Sequence, residues 1–158
     1  MYKVLSFVLI LFSIGCASSE DNERVEPAVG EISIQSLFIQ YPHFAENFHS
    51  YQPSEKEITA IQKVQGKSIL VLFGTWCHDS EREIPRLLKL LEVSNVQLAA
   101  LSLRALNYSK QDTQGLHHTY QLNFTPTIIL LDGKKELGRI VEFPKVSLGE
   151  DLANMLSD

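Results

Sequence analysis

Cys77 is the side chain in the body of this chain best suited to covalent chemistry. It lies in Trp76-Cys77-His78-Asp79-Ser80, directly after the apolar run Ser68-Ile69-Leu70-Val71-Leu72-Phe73 and Gly74. The thiolate form of cysteine is both a nucleophile and a metal ligand. Thiol–disulfide exchange and metal binding are therefore the two chemistries open to it. In exchange, the thiolate attacks a disulfide sulfur and leaves a mixed disulfide. Release then needs a second thiol, and the position three residues on is Ser80. A serine hydroxyl is far too weakly acidic for that step, so turnover has to draw a thiol from a small molecule or a partner protein. As metal ligands, Cys77 and His78 make two where a closed structural site takes four. Ser80, His78 and Asp79 do not form a triad, because neighbours on one helical turn point apart while a triad converges. His117 and His118 diverge by the same rule and read as surface residues. Glu81, Arg82, Glu83 and Arg86 read as a solvated helix face.

Positioning Cys77 requires elements on both sides of it. The run Ser68 to Phe73 fits a strand buried on both faces. Ile84, Leu87, Leu88 and Leu91 have the spacing of one apolar helix face after the motif. A cysteine at the start of that helix meets unpaired backbone N–H groups and the positive end of the helix dipole, and both favour a thiolate. Upstream, the alternation of Ile32 and Ile34 predicts an edge strand, and His43 to Tyr51 a short helix after Pro42. Ser54-Glu55-Lys56-Glu57 has the form of a capping box opening a helix that Gly66 ends. Downstream come a strand over Val96 to Leu103, a weaker helix over Asp112 to Gln121, a strand over Thr127 to Leu131, an Asp132-Gly133 turn, a strand over Glu136 to Val141, and a closing helix over Val146 to Leu156. So short a turn makes its two strands antiparallel. Strands alternating with helices predict parallel pairs elsewhere.

The 158 residues bear 44% apolar and 21% charged side chains and a net charge of −5, without a long run of one sign. That is ordinary globular composition and gives no electrostatic footprint for nucleic acid. The N-terminus has its own pattern. Met1-Tyr2-Lys3 is a short basic start, Val4 to Ile14 is almost wholly apolar, and Gly15, Cys16, Ala17, Ser18 and Ser19 are small. This is the form of a secretory signal peptide, too short for a spanning helix of ~20 apolar residues. Phe12-Ser13-Ile14-Gly15-Cys16 also resembles a bacterial lipobox, in which the cysteine becomes the lipidated N-terminus; ordinary cleavage near Ala17 or Ser18 is the alternative. The expected organisation is a signal segment over 1–16, a polar tether over 17–30 and one domain over 31–158. With Cys16 lipidated or removed, Cys77 is the only thiol left, in a compartment that permits disulfides.

Three features in order resemble the thioredoxin superfamily. An apolar strand runs into Gly74-Thr75-Trp76-Cys77. Pro85 lies eight residues after Cys77, where many thioredoxins kink the active-site helix. Phe124-Thr125-Pro126-Thr127 precedes a strand and an Asp-Gly turn. The match covers roughly Ser68 to Val141, and the exported, tethered setting is similar to the membrane-anchored periplasmic thioredoxin-domain branch. The resemblance implies an α/β fold with a central mixed sheet flanked by helices. It implies a cis Thr125–Pro126 bond facing Cys77, and a substrate surface made by Trp76, His78, Thr125 and Pro126. Two departures bear on dithiol turnover. Ser80 stands at the second cysteine position, and Val71 stands where many thioredoxins bury a proton-carrying acid.

Two readings of function follow. The chain is a monothiol thiol–disulfide oxidoreductase, with Cys77 and Ser80 in the reacting turn, acting on exported proteins or small thiols; or it is a redox-inactive binding domain on the same fold. A metal-handling accessory protein is a third and weaker reading. No metal, no cofactor and no nucleic-acid partner is expected, and the membrane is met through the lipid anchor at Cys16.

Overall fold

The computed structural model describes residues 26–156. The signal segment, Cys16 and the first part of the tether lie outside the described residues. The strands are β1 (Gly30–Glu31), β2 (Ser68–Phe73), β3 (Ala100–Ala105), β4 (Thr127–Asp132) and β5 (Lys135–Val141). The helices are α1 (Ile34–Gln40), α2 (Pro42–Ser50), α3 (Glu55–Ile61), α4 (His78–Ser94), α5 (Leu116–Thr119) and α6 (Leu148–Asn154). The sheet order is β1-β3-β2-β4-β5, a mixed sheet with helices packed on it, as the resemblance implied.

β2 is the central strand, and its composition explains why. Successive side chains of a strand face opposite sides, and β2 is apolar at both. Ile69, Val71 and Phe73 enter the main core with Ile84, Leu87 and Leu90 of α4. Leu70 and Leu72 enter a smaller core with Leu106, Ile129 and Leu131. Val71 is fully buried in this apolar setting, so the strand offers no titratable group beneath the Cys77 turn. The capping box forms as read: Ser54 Oγ accepts from Glu57 N, and Glu57 Oε2 accepts from Ser54 N at 3.1 Å.

Several elements differ from the sequence reading, each for a local reason. The first strand is only Gly30–Glu31 and runs antiparallel to β3. Ser33 ends it, because its Oγ accepts from Ser36 N at 3.0 Å and opens α1; Ile34 therefore starts a helix. Residues 26–30, read as tether, rest on the domain through Glu26, Ala28 and Gly30. β3 is shifted to Ala100–Ala105. The weak helix over 112–121 contracts to α5, because the Asp112 carboxylate accepts from the backbone of Gln114 and His117 and holds a loop there.

β2 pairs with β3 in parallel but with β4 antiparallel, where alternation predicted parallel strands. The four residues of α5 rise only about 6 Å at ~1.5 Å each. A six-residue strand is about 20 Å long at ~3.3 Å per residue. α5 by itself therefore does not carry the chain back along the sheet, and β4 starts at the end where β3 finished. That end is also where the Cys77 turn sits.

Candidate functional site

β2 ends at Phe73, whose carbonyl accepts from Leu106 N at 2.9 Å. Gly74 follows because nothing larger fits: a Cβ there would lie 2.6 Å from Trp76 Cε2. The indole lies over the glycine, donates from Nε1 to Leu106 O at 3.0 Å, and sits 5.5 Å from the Tyr108 ring. Cys77 N donates to Gly74 O at 3.1 Å and closes the turn. Cys77 is the N-cap of α4, in extended backbone, and its side chain makes no cap bond. Instead its thiol donates to Thr125 O at 3.2 Å. The Thr125–Pro126 bond is cis, as the resemblance implied, and both residues are buried. Pro126 O accepts from Glu142 N at 2.8 Å, fixing the loop to the end of β5. The fold thus brings Trp76, Cys77, Thr125 and Pro126 together from two distant segments.

Ser80 is fully buried, and its Oγ accepts from Gly74 N at 3.3 Å. Its hydroxyl therefore ties the first turn of α4 to the end of β2. His78 is the most exposed member of the motif, with 93% of its side chain accessible and Nδ1 3.6 Å from Glu81. Asp79 pairs with Arg82 at 2.8 Å. Among the described residues Cys77 is the one free cysteine. No group of three or more His, Cys, Asp or Glu side chains suited to a metal ion occurs among them. No helix there is long and apolar enough to cross a membrane.

A family model described as Thioredoxin matches residues 40–150. The chain belongs to the thioredoxin family. No curated protein matches it. Among solved structures, it resembles the 1.5 Å crystal structure of a Pseudomonas aeruginosa protein of unknown function. That pair shares 17% identity with a TM-score of 0.51, over 80% of this chain and 94% of the other. An HIV epitope scaffold is also similar, at 17% identity and a TM-score of 0.48, over 80% of this chain and 83% of its own. The Pseudomonas likeness bears on the fold alone.

Around this thioredoxin-family turn the structure adds residues that the sequence reading passed over. Glu83 was read as part of a solvated face, yet it is only 2% exposed. Its Oε1 meets Arg82 Nε at 2.6 Å and Arg86 Nη1 at 3.4 Å, while Oε2 is buried without a partner. Helical spacing was the available signal: Glu83 is three residues from buried Ser80 and four from buried Leu87. Pro85 has no N–H for the carbonyl of Glu81, four residues back. The side-chain amide of Asn47 on α2 donates to that carbonyl instead, at 2.8 Å. Tyr108 and Phe124, 64% and 50% exposed, stand beside Trp76 and Thr125, and Lys110 lies over the Phe124 ring. His117 and His118 do not diverge; their rings stack at 4.1 Å. Asp112 causes this by drawing His117 Nδ1 to 2.6 Å. Burial alone would raise the Asp112 carboxyl. The His117 ring and the backbone N–H groups of His117, Gln114 and Leu116 outweigh it and hold it well below the usual range.

Proposed function

We propose that this chain is an exported thioredoxin-family protein, tethered through a lipidated Cys16, that works as a monothiol thiol–disulfide oxidoreductase. The observation that carries the reading is the position of Cys77. It caps a 17-residue helix, with its sulfur 3.2 Å from Thr125 O beside Pro126. In the reaction the thiol proton leaves its contact with Thr125 O for solvent water, and the thiolate attacks a disulfide R–S–S–R′. A protein–S–S–R bond forms, the S–S bond of the substrate breaks, and R′–S⁻ departs. Ser80, buried and engaged with Gly74, has neither the acidity nor the freedom to resolve that product. An external thiolate attacks the mixed disulfide, releases Cys77 as thiolate and carries R away as a new disulfide. Substrates are disulfides of exported proteins or small molecules, met at Trp76, His78, Thr125 and Pro126.

Repeated reduction of a protein disulfide should depend on an added small thiol, and Ser80→Cys should relieve part of that dependence. Turnover by the unaltered protein without added thiol would refute the monothiol scheme. The lipid anchor is tested by mass spectrometry of the mature N-terminus; an unmodified terminus at Ser18 or Ser19 would refute it. The binding-domain reading draws support from the thiol proton held on Thr125 O and from the exposed Tyr108 and Phe124. It requires Cys77→Ala to bind a partner as well as the unaltered protein does.

A further inference from the structure

We propose that residues 26–31 form a strap that positions the Cys77 turn, and that Thr75 is the positioning residue through which the strap acts. The inference rests on the reading of Cys77 as a reactive thiol. The strap precedes residues 40–150, the part matched by the thioredoxin family model. It enters at the end of the sheet that carries the site. Gly30 pairs with Ala105, the last residue of β3, and Ala105 in turn pairs with Phe73, the last residue of β2.

Besides the Gly30–Ala105 pairing, three contacts hold the strap. Glu26 O accepts from the Tyr41 hydroxyl at 2.7 Å. Glu31 pairs with Arg104 in the ladder and through a 3.1 Å ion pair. Between them, Ala28 N donates to Thr75 Oγ1 at 3.2 Å. Gly30 makes the bend with φ +98°, which L side chains rarely adopt.

The turn itself has few ties. Gly74 N is held by Ser80 Oγ, Cys77 N by Gly74 O, and the Trp76 indole by Leu106 O. The side chain of Thr75, only 5% exposed, is held by the strap. A buried hydroxyl is stable when hydrogen-bonded, so Thr75 favours the docked strap. The docked strap in turn fixes the residue two before Cys77. Any pull on the N-terminal segment is then felt at the thiol turn.

The test compares the full chain with Thr75→Val, Thr75→Ser and Ala28→Pro. Folding is verified by circular dichroism, and Cys77 is allowed to react with glutathione disulfide. Thr75→Val keeps the shape and removes the hydroxyl. It should slow formation of the Cys77 mixed disulfide about tenfold, less than the ~100-fold that a misplacement of about 1 Å can cost. Thr75→Ser, which keeps Oγ, should stay within about twofold of the unaltered rate. Ala28→Pro removes the donor from the strap side, its ring carbon in place of the N–H forces the strap off Thr75 Oγ1, and it should slow the reaction as Thr75→Val does; it also decides the matter if Thr75→Val fails to fold. Trp76 emission should shift to the red in the slow variants and not in Thr75→Ser. A folded Thr75→Val or Ala28→Pro that matches the unaltered rate and emission would overturn the inference, as would Thr75→Ser behaving like Thr75→Val. If Cys77 of the unaltered protein proves inert, the oxidoreductase reading fails. The emission series then still decides whether the strap holds the turn.

Discussion

Replacing Gly74 with alanine separates ordinary backbone effects from the packing of this site. The backbone at Gly74 does not have the positive φ that would strain an L residue. By chain entropy alone, Gly74→Ala should stabilise the fold by about 0.4–1 kcal/mol. The structure reverses the sign. A Cβ would stand 2.6 Å from Trp76 Cε2 and 2.9 Å from Nε1, so the indole has to leave. Its departure breaks the bond to Leu106 O, worth about 0.5–1.5 kcal/mol. It also breaks the pairing with Tyr108, worth about 0.5–1.5 kcal/mol. The net expectation is a loss of about 1–2 kcal/mol and a melting temperature lower by about 3–8 °C. Trp76 is the sole tryptophan, so its fluorescence reports the displacement directly as a red shift. Urea unfolding followed by that emission gives the stability. A Gly74→Ala protein with unchanged emission and equal or greater stability would refute the packing argument.

Other expectations follow from single contacts. Asn47→Ala removes the amide that serves the Glu81 carbonyl freed by Pro85 and should cost about 1–2 kcal/mol in urea unfolding. Gly149→Ala would place a Cβ 2.5 Å from the backbone oxygen of Glu57, where α6 meets α3; a loss of about 1–3 kcal/mol is expected from overpacking, read as a fall in melting temperature. Asp112 has its folded pKa held below the ordinary value. Its contribution is therefore full above the unfolded carboxyl range, near pH ~4, and is lost as pH falls through the folded value. Asp112→Asn should be less stable than the unaltered protein at pH 7, and the gap should narrow in unfolding curves taken at progressively lower pH.

What could be read from the sequence was set by periodicity and by local chemistry. β2 is apolar at every position but the first, and Ser54 and Glu57 sit at capping-box spacing; both elements form where they were read. The cis Thr125–Pro126 bond and its approach to Cys77 came through family resemblance, since nothing local to Thr125 requires it. Elements governed by one distant or unusual contact were not legible. Ile32 and Ile34 alternate like a strand, but the Ser33 cap turns the second into a helix. Glu83 stands among charged neighbours that suggest solvent, and only its place on the face of Ser80 and Leu87 shows that it is buried. The stacking of His117 on His118 depends on Asp112, a carboxylate whose burial no pattern marks. The packing of residues 26–30 on Thr75 was hidden by a polar composition that reads as a linker.

Intact-mass kinetics decide whether Cys77 is a reactive thiol without an internal resolving partner. The full chain is mixed with glutathione disulfide, folded in buffer and unfolded in urea, and the adduct is mapped by peptide fragmentation. The expected result is one glutathione adduct on Cys77 that forms faster in the folded protein than in the unfolded chain and persists until a free thiol is added. An adduct forming no faster in the folded protein than in urea, or one lost without added thiol, would rule out a reactive Cys77 that depends on an external resolving thiol.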